Sequence, residues 1–140
     1  MGLGDKFETH NDYFAGLDGY NQNDKLNSEN FMPTSSADKS FFLRWPTKTQ
    51  QKQTGNSEVT GITWILKVLF KKGQGTPYPD FLKATWNSID TLEKGYLNFG
   101  AGDNDGDRVF IENIELEDIN QNYTSATLTG RLMFRRDLSV

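Results

Sequence analysis

Apolar and polar residues alternate over a long stretch from Glu58 to Lys71. Ile62, Trp64, Leu66, Val68 and Phe70 share one face of an extended chain, while Thr63, Ile65, Lys67, Leu69 and Lys71 share the other. One fully apolar face and one mixed face predict a central strand that packs a helix on one side. The period becomes helical from about Tyr78 to Lys94, where Phe81, Thr85, Ile89 and Leu92 form a stripe that Leu82 and Trp86 widen. Thr76 or Pro77 opens this helix, Asp80 suits its positive end, and Gly95 supplies a C-cap. Tyr96 to Phe99 then reads as a short strand or turn.

Phe41-Phe-Leu-Arg-Trp45 is a short strand stopped by Pro46, and residues 47–57 are a polar loop or hairpin tip. Arg108 to Asp118 and Tyr123 to Arg136 read as two strands joined by a hairpin over Ile119-Asn-Gln-Asn122. In the second of these, Leu128, Leu132 and Phe134 face one way, and Thr127, Thr129, Arg131, Met133 and Arg135 the other. The apolar phase shifts between Ile111 and Ile114, which predicts a bulge.

The first 40 residues hold no period for more than a few positions and are rich in Asn, Asp, Gly and Ser. They read as an irregular N-terminal arm over 1–40, ahead of a single domain over 41–140. Phe7, Tyr13, Phe14, Tyr20 and Phe31 are more aromatics than a disordered tail carries, so the arm is expected to dock on the body or on a neighbouring copy. The order β-β-α-(β)-β-β predicts an α+β fold: an antiparallel or mixed sheet with one main amphipathic helix packed on a face.

Composition removes whole classes of function. The chain has 140 residues and no cysteine, which excludes disulfide scaffolds, thiolate metal sites and cysteine nucleophiles. His10 is the only histidine, so neither a Ser-His-Asp triad nor a two-histidine metal site is expected. The apolar run Ile62–Phe70 falls far short of a membrane span, and Met1-Gly-Leu-Gly-Asp5 lacks the basic and apolar regions of a signal peptide. A net charge of −4 and a pI near 4.9 argue against general nucleic-acid binding. A soluble protein that is not an enzyme, with no cofactor and no membrane partner, is the expectation.

Few motifs suggest chemistry. Asp103, Asp105 and Asp107 place three carboxylates at a spacing of two, a candidate cation loop, but Arg108 and Ile114 stand where an EF-hand requires Gly and Glu. A solvated acidic turn explains them better. Gly73-Gln-Gly-Thr76 before a helix lacks the spacing and lysine of a phosphate-binding loop, and Asn122-Tyr-Thr124 is turn chemistry rather than a glycosylation site. Trp64 and Trp86 lie in apolar stripes, so core packing outranks a sugar-stacking platform that would add Trp45. Charge is more suggestive. Residues 101–118 carry seven acids and one arginine, while Lys67, Lys71, Lys72, Arg131, Arg135 and Arg136 gather at strand ends. Solvated strand termini are the plain explanation. The sharper one is a subunit interface in which Glu112, Glu115 and Glu117 of one copy meet Lys71, Lys72, Arg131, Arg135 and Arg136 of the next.

Glu29-Asn-Phe-Met-Pro33 precedes the strand Phe41-Phe-Leu-Arg-Trp-Pro46. A polar excursion, the strand Gly61–Phe70, the turn Gly73-Gln-Gly-Thr-Pro77, one amphipathic helix and two long strands follow. In this order residues 29–136 resemble the tail-terminator proteins of long-tailed (siphovirus-like) bacteriophages. Such proteins usually begin with a helix, and residues 1–28, with Gly2, Gly4, Gly16 and Gly19, depart from that pattern. The resemblance implies an α+β subunit, without catalysis, that closes into a ring, commonly of six copies. The ring caps the tail tube, stops its polymerisation and forms the head–tail joining surface. Its implied partners are further copies of itself, the tail-tube protein and a neck or head-completion protein. Its implied location is the virion tail or neck, after synthesis in the host cytoplasm. DNA would pass through the lumen without specific binding, with the acidic loop 103–107 as one candidate lining. Another neck, tail-completion or tail-tube component is the nearest alternative, and a small glycan- or ligand-binding β-rich module is a more distant one.

Overall fold

The computed structural model describes residues 3–27, 38–45, 50–54, 57–73, 75–102 and 108–137. In chain order the elements are helix α1 (Leu3–Ala15), strand β1 (Asn21–Gln22), a 3-10 turn over Asp24–Asn27, and strands β2 (Ser40–Arg44), β3 (Gln50–Thr54) and β4 (Ser57–Lys71). Helix α2 (Tyr78–Gly102) and strands β5 (Arg108–Asp118) and β6 (Tyr123–Asp137) complete them. The fold is α+β. Its sheet runs β1-β2-β4-β6-β5, with β3 paired to β4 off that path. Among the described residues only the β1–β2 pairing is parallel, so the sheet is mixed.

β4 organises the sheet. One of its edges pairs with β6 along its whole length, from Ser57↔Asp137 to Lys71↔Tyr123. Its other edge is divided: β3 takes Ser57–Gly61 and β2 takes Ile65–Leu69. The alternation read from the sequence is realised, since Ile62, Trp64, Leu66, Val68 and Phe70 are all buried beneath the helices. Leu128, Leu132 and Phe134 of β6 share that face. The expected bulge is present in β5. Ile111 opposes Gly130 and Asn113 opposes Thr129, so Glu112 is the inserted residue. The extra residue keeps Val109 and Ile111 on one side of it, and Ile114 and Leu116 on the other, packed against the same core.

Three expectations are corrected. Residues 3–15 are not an irregular arm; they form helix α1. Lys6, His10 and Phe14 are buried along one of its faces, with Phe7 and Tyr13 partly buried beside them. Gly16 N–H donates to Asp12 O at 2.9 Å as the helix closes, and Gly19 adopts φ +83° in the turn that follows. The docking expected of Phe7, Tyr13, Phe14 and Tyr20 is onto the body of the same chain; Phe31 lies outside the described residues.

Helix α2 also does not stop at Gly95. It continues to Gly102, because Tyr96 and Gly100 extend the buried line Phe81–Thr85–Ile89–Leu92. Gly95 is instead a point of close approach. A Cβ there would lie 2.8 Å from the Tyr13 hydroxyl of α1. Gly100 plays the same part against Val109 of β5. Trp86 leaves the core stripe assigned to it and is 43% exposed, one position round the helix from buried Thr85.

Where the helices cross the sheet, aromatic rings form the centre of the core. Tyr96 stacks on Phe14 with centroids 5.4 Å apart and meets Trp64 edge-on at 5.0 Å. Tyr13 stacks on Phe99 at 4.3 Å. Such pairs contribute about 0.5–1.5 kcal/mol each beyond the area they bury. Buried His10 shares a hydrogen bond of 2.9 Å between its Nδ1 and the Tyr96 hydroxyl.

Candidate functional site

The helices cover one face of the sheet, and the other face is largely open. Strand registers place its side chains in rows. Phe42, Lys67, Thr127 and Glu115 form one row across β2, β4, β6 and β5; Arg44, Ile65, Thr129 and Asn113 form the next; Thr63, Arg131 and Phe110 form a third. These groups are exposed or half-buried, and Phe110 is 44% exposed. At one end a smaller cluster of Leu26, Leu69 and Tyr123 closes the face, with Phe42 and Ile119 against it. The open surface therefore mixes apolar side chains with lysine and arginine in its centre, and it carries glutamates along the β5 edge.

Lys67, Lys71, Lys72, Arg131, Arg135, Glu115 and Glu117 fall on this face or at its ends, but several charged groups already meet within one chain. Lys72 Nζ lies 3.2 Å from Asp118 Oδ1 and donates to Asn120 O at 3.3 Å. Thr124 Oγ1 donates to the same Asp118 oxygen at 2.6 Å. These two donors hold the Asp118 carboxyl below its ordinary pKa, the Thr124 hydroxyl first and Lys72 second. Arg131 approaches Glu112 at 3.9 Å, a half-exposed pair of little energetic weight. Glu115, Glu117, Lys71 and Arg135 have exposed side chains. Asn113 Nδ2 donates to Glu115 Oε1 at 3.2 Å. Arg136 pairs by backbone register with Glu58 in β4. Asp103, Asp105 and Asp107 lie outside the described residues. Among the described residues no three His, Asp or Glu side chains gather as metal ligands.

Sequence reasoning missed a second feature on the opposite side. A cleft of about 420 Å³ lies between the end of α1 and the middle of α2, lined by Tyr13, Tyr20, Lys39, Asn87 and Thr91 among others. Lys39 adopts φ 59°, in the left-handed region, and its Nζ sits 5.5 Å from the Tyr20 ring centroid. The Tyr20 hydroxyl is pushed above its ordinary pKa, chiefly by burial and then by the charge of Asp38. The cleft exists only because α1 is a helix, so it could not be read from the pattern of residues 1–40.

No protein-family model matches the chain, and no curated protein matches it. Among the described residues no helix is long and apolar enough to cross a membrane.

Proposed function

We propose that this protein is a ring-forming structural subunit of a long-tailed bacteriophage, of the tail-terminator kind, that caps the tail tube and offers the surface joining it to the head. Helix α1 is the observation that carries this reading. The resemblance over residues 29–136 implies a helix ahead of the sheet, and residues 3–15 supply one despite a sequence that argued against it. The rest of the architecture agrees in kind: one main helix over a mixed sheet, with a half-exposed opposite face and a long outer strand. The work of such a subunit is geometric, carried by surfaces rather than by a reactive group.

Light scattering behind a sizing column, with and without purified tail tubes, tests the reading. A closed species of several copies, or a monomer that becomes a ring on tube ends and halts their growth, supports it. A strict monomer that ignores tubes overturns it.

The α1–α2 cleft favours a second reading, a small-ligand or glycan-binding module, since two tyrosines, an amide and a hydroxyl line one hollow. Saturable tyrosine or tryptophan fluorescence changes on adding mono- and oligosaccharides would favour this over the ring.

A further inference from the structure

The cleft between α1 and α2 gathers polar groups that the fold itself does not use. The hydroxyls of Tyr13, Tyr20 and Ser88 and the side-chain amide of Asn87 line it. None of these four groups makes a hydrogen bond among the described residues. Thr91 differs, because its Oγ1 already donates to Asn87 O at 3.0 Å. Tyr13, Tyr20 and Ser88 are half-buried, and polar groups withdrawn from bulk water are normally paired with protein, water or ligand. Burial is the first cause that holds both phenols above their ordinary pKa, so each keeps a proton to donate at neutral pH. Leu17 and Leu92 add an apolar wall. The volume of about 420 Å³ lies within the roughly 300–1,000 Å³ that small-ligand sites occupy.

The backbone at the rim is set to present a side chain. Lys39 N–H donates to Leu69 O at 2.8 Å, and Lys39 O accepts from Asn21 N–H at 3.1 Å, which pins the residue at φ 59°. Glycine adopts that conformation without strain. Lysine adopts it at a cost, and its ammonium stands 5.5 Å from the Tyr20 ring centroid.

Charge narrows the class of ligand. Asp18 and Lys39 give the rim one charge of each sign. An anion would meet that single ammonium together with Asp18 and with Asp38, whose charge also acts on the Tyr20 hydroxyl. A cation would compete with Lys39 for the face of Tyr20. A wholly apolar ligand would strip water from two phenols, a serine and an amide while pairing none of them. A neutral molecule with hydroxyls at its edge and C–H groups on its faces meets each of these conditions.

We infer that the α1–α2 cleft binds an uncharged sugar, whose hydroxyls meet Tyr13, Tyr20, Asn87 and Ser88 while an apolar face of its ring lies on Leu17 and Leu92. This rests on the ligand-binding reading of the cleft, names its class of ligand, and holds whether or not the subunit also forms a ring.

Amide shift mapping on the full-length, ¹⁵N-labelled chain tests it. The probes are glucose, galactose, mannose and N-acetylglucosamine, with protonated glucosamine and glucuronate as charged counterparts. At least one neutral sugar should give saturable shifts at Ser88, Thr91 and Gly95, with a Kd on the order of 1 mM. Asn87→Ala with Ser88→Ala, both compatible with a helix, should raise that Kd by about tenfold or more. Trp86→Ala, next in sequence but outside the cleft, should leave it unchanged. Charged sugars that bind the cleft as tightly as neutral ones, or in their place, overturn the inference and leave the ligand-binding reading standing. A neutral sugar that shifts the open sheet face instead overturns the assignment of the site. No saturable shift with any probe removes both the inference and the reading beneath it.

Discussion

The Trp64 indole lies flat against Gly130, its register partner on the neighbouring strand. A Cβ on Gly130 would fall 2.0 Å from Trp64 Cζ2. Glycine weakens an isolated strand, but here the missing side chain is what lets the largest ring of the core lie against the sheet. Gly130→Ala forces the indole to move within a filled interior, at a cost of about 1–3 kcal/mol. A urea midpoint that falls without a change in slope would verify this, and an unchanged midpoint would refute it.

Gly95 gives the contrasting case. Its Cβ would meet only the Tyr13 hydroxyl, the far end of a side chain. Alanine gains about 1 kcal/mol of helix propensity over glycine, which offsets the crowding. Gly95→Ala should change stability little, and Gly95→Ala with Tyr13→Phe should be more stable than Tyr13→Phe alone. The comparison is a double-mutant cycle read by thermal melting.

The Tyr96 hydroxyl carries the hydrogen bond to His10 in the buried centre. Tyr96→Phe keeps the ring stacking and should cost about 1–2 kcal/mol, whereas Tyr96→Ala removes the stack on Phe14 as well and should cost about 3–5 kcal/mol. Chemical denaturation of both variants measures the difference. Equal losses would show that the hydroxyl, not the ring, dominates.

Asp118 sets an acid limit at one end of the sheet. Its folded pKa is lowered by Thr124 and Lys72, so its stabilisation is full above the unfolded value near 4 and is lost as pH falls through the folded value. The carboxylate is more than half exposed, which keeps the effect small. Wild type should exceed Asp118→Asn in stability at pH 7, and the two should converge towards pH 2–3. Urea midpoints across that range supply the check.

Glu8 is exposed in the middle of α1. Glu8→Pro should therefore cost about 3 kcal/mol by breaking the helix, where an irregular arm would absorb proline at little cost. Thermal denaturation separates the two outcomes.

Strand β4 was legible because every inward position from Ile62 to Phe70 is apolar, and the bulge in β5 because the phase slips around Glu112; β3, read as part of a polar loop, was not, because Gln50–Thr54 offers no apolar position. α1 was hidden by the identity of its inward residues. Lys6, His10 and Phe14 do recur at helical spacing, but two of the three are basic and read as surface. Aromatic neighbours account for part of their burial: the Lys6 ammonium lies 5.3 Å from the Phe134 ring centroid, and His10 meets Tyr96 and Phe99. The end of α2 was misplaced because Gly95 has two roles available to a glycine, cap or close approach, and the partner that decides between them is Tyr13, 82 positions earlier in the chain. The acids and bases of the candidate interface were legible as charges but not as pairs. Lys72 and Asp118 become neighbours only when the β5–β6 turn folds back against the end of β4.

The full-length pairing of β4 with β6 has a consequence for when the subunit becomes competent. β6 begins some 50 residues after β4 ends, and α2 and β5 are threaded between them. Contacts so distant along the chain form slowly, after the entropy of a long loop has been spent. During synthesis one whole edge of β4 stays unoccupied until β6 leaves the ribosome. Nascent chains are thus exposed to mispairing at the very strand on which the sheet is built, and assembly waits for translation to pass Asp137.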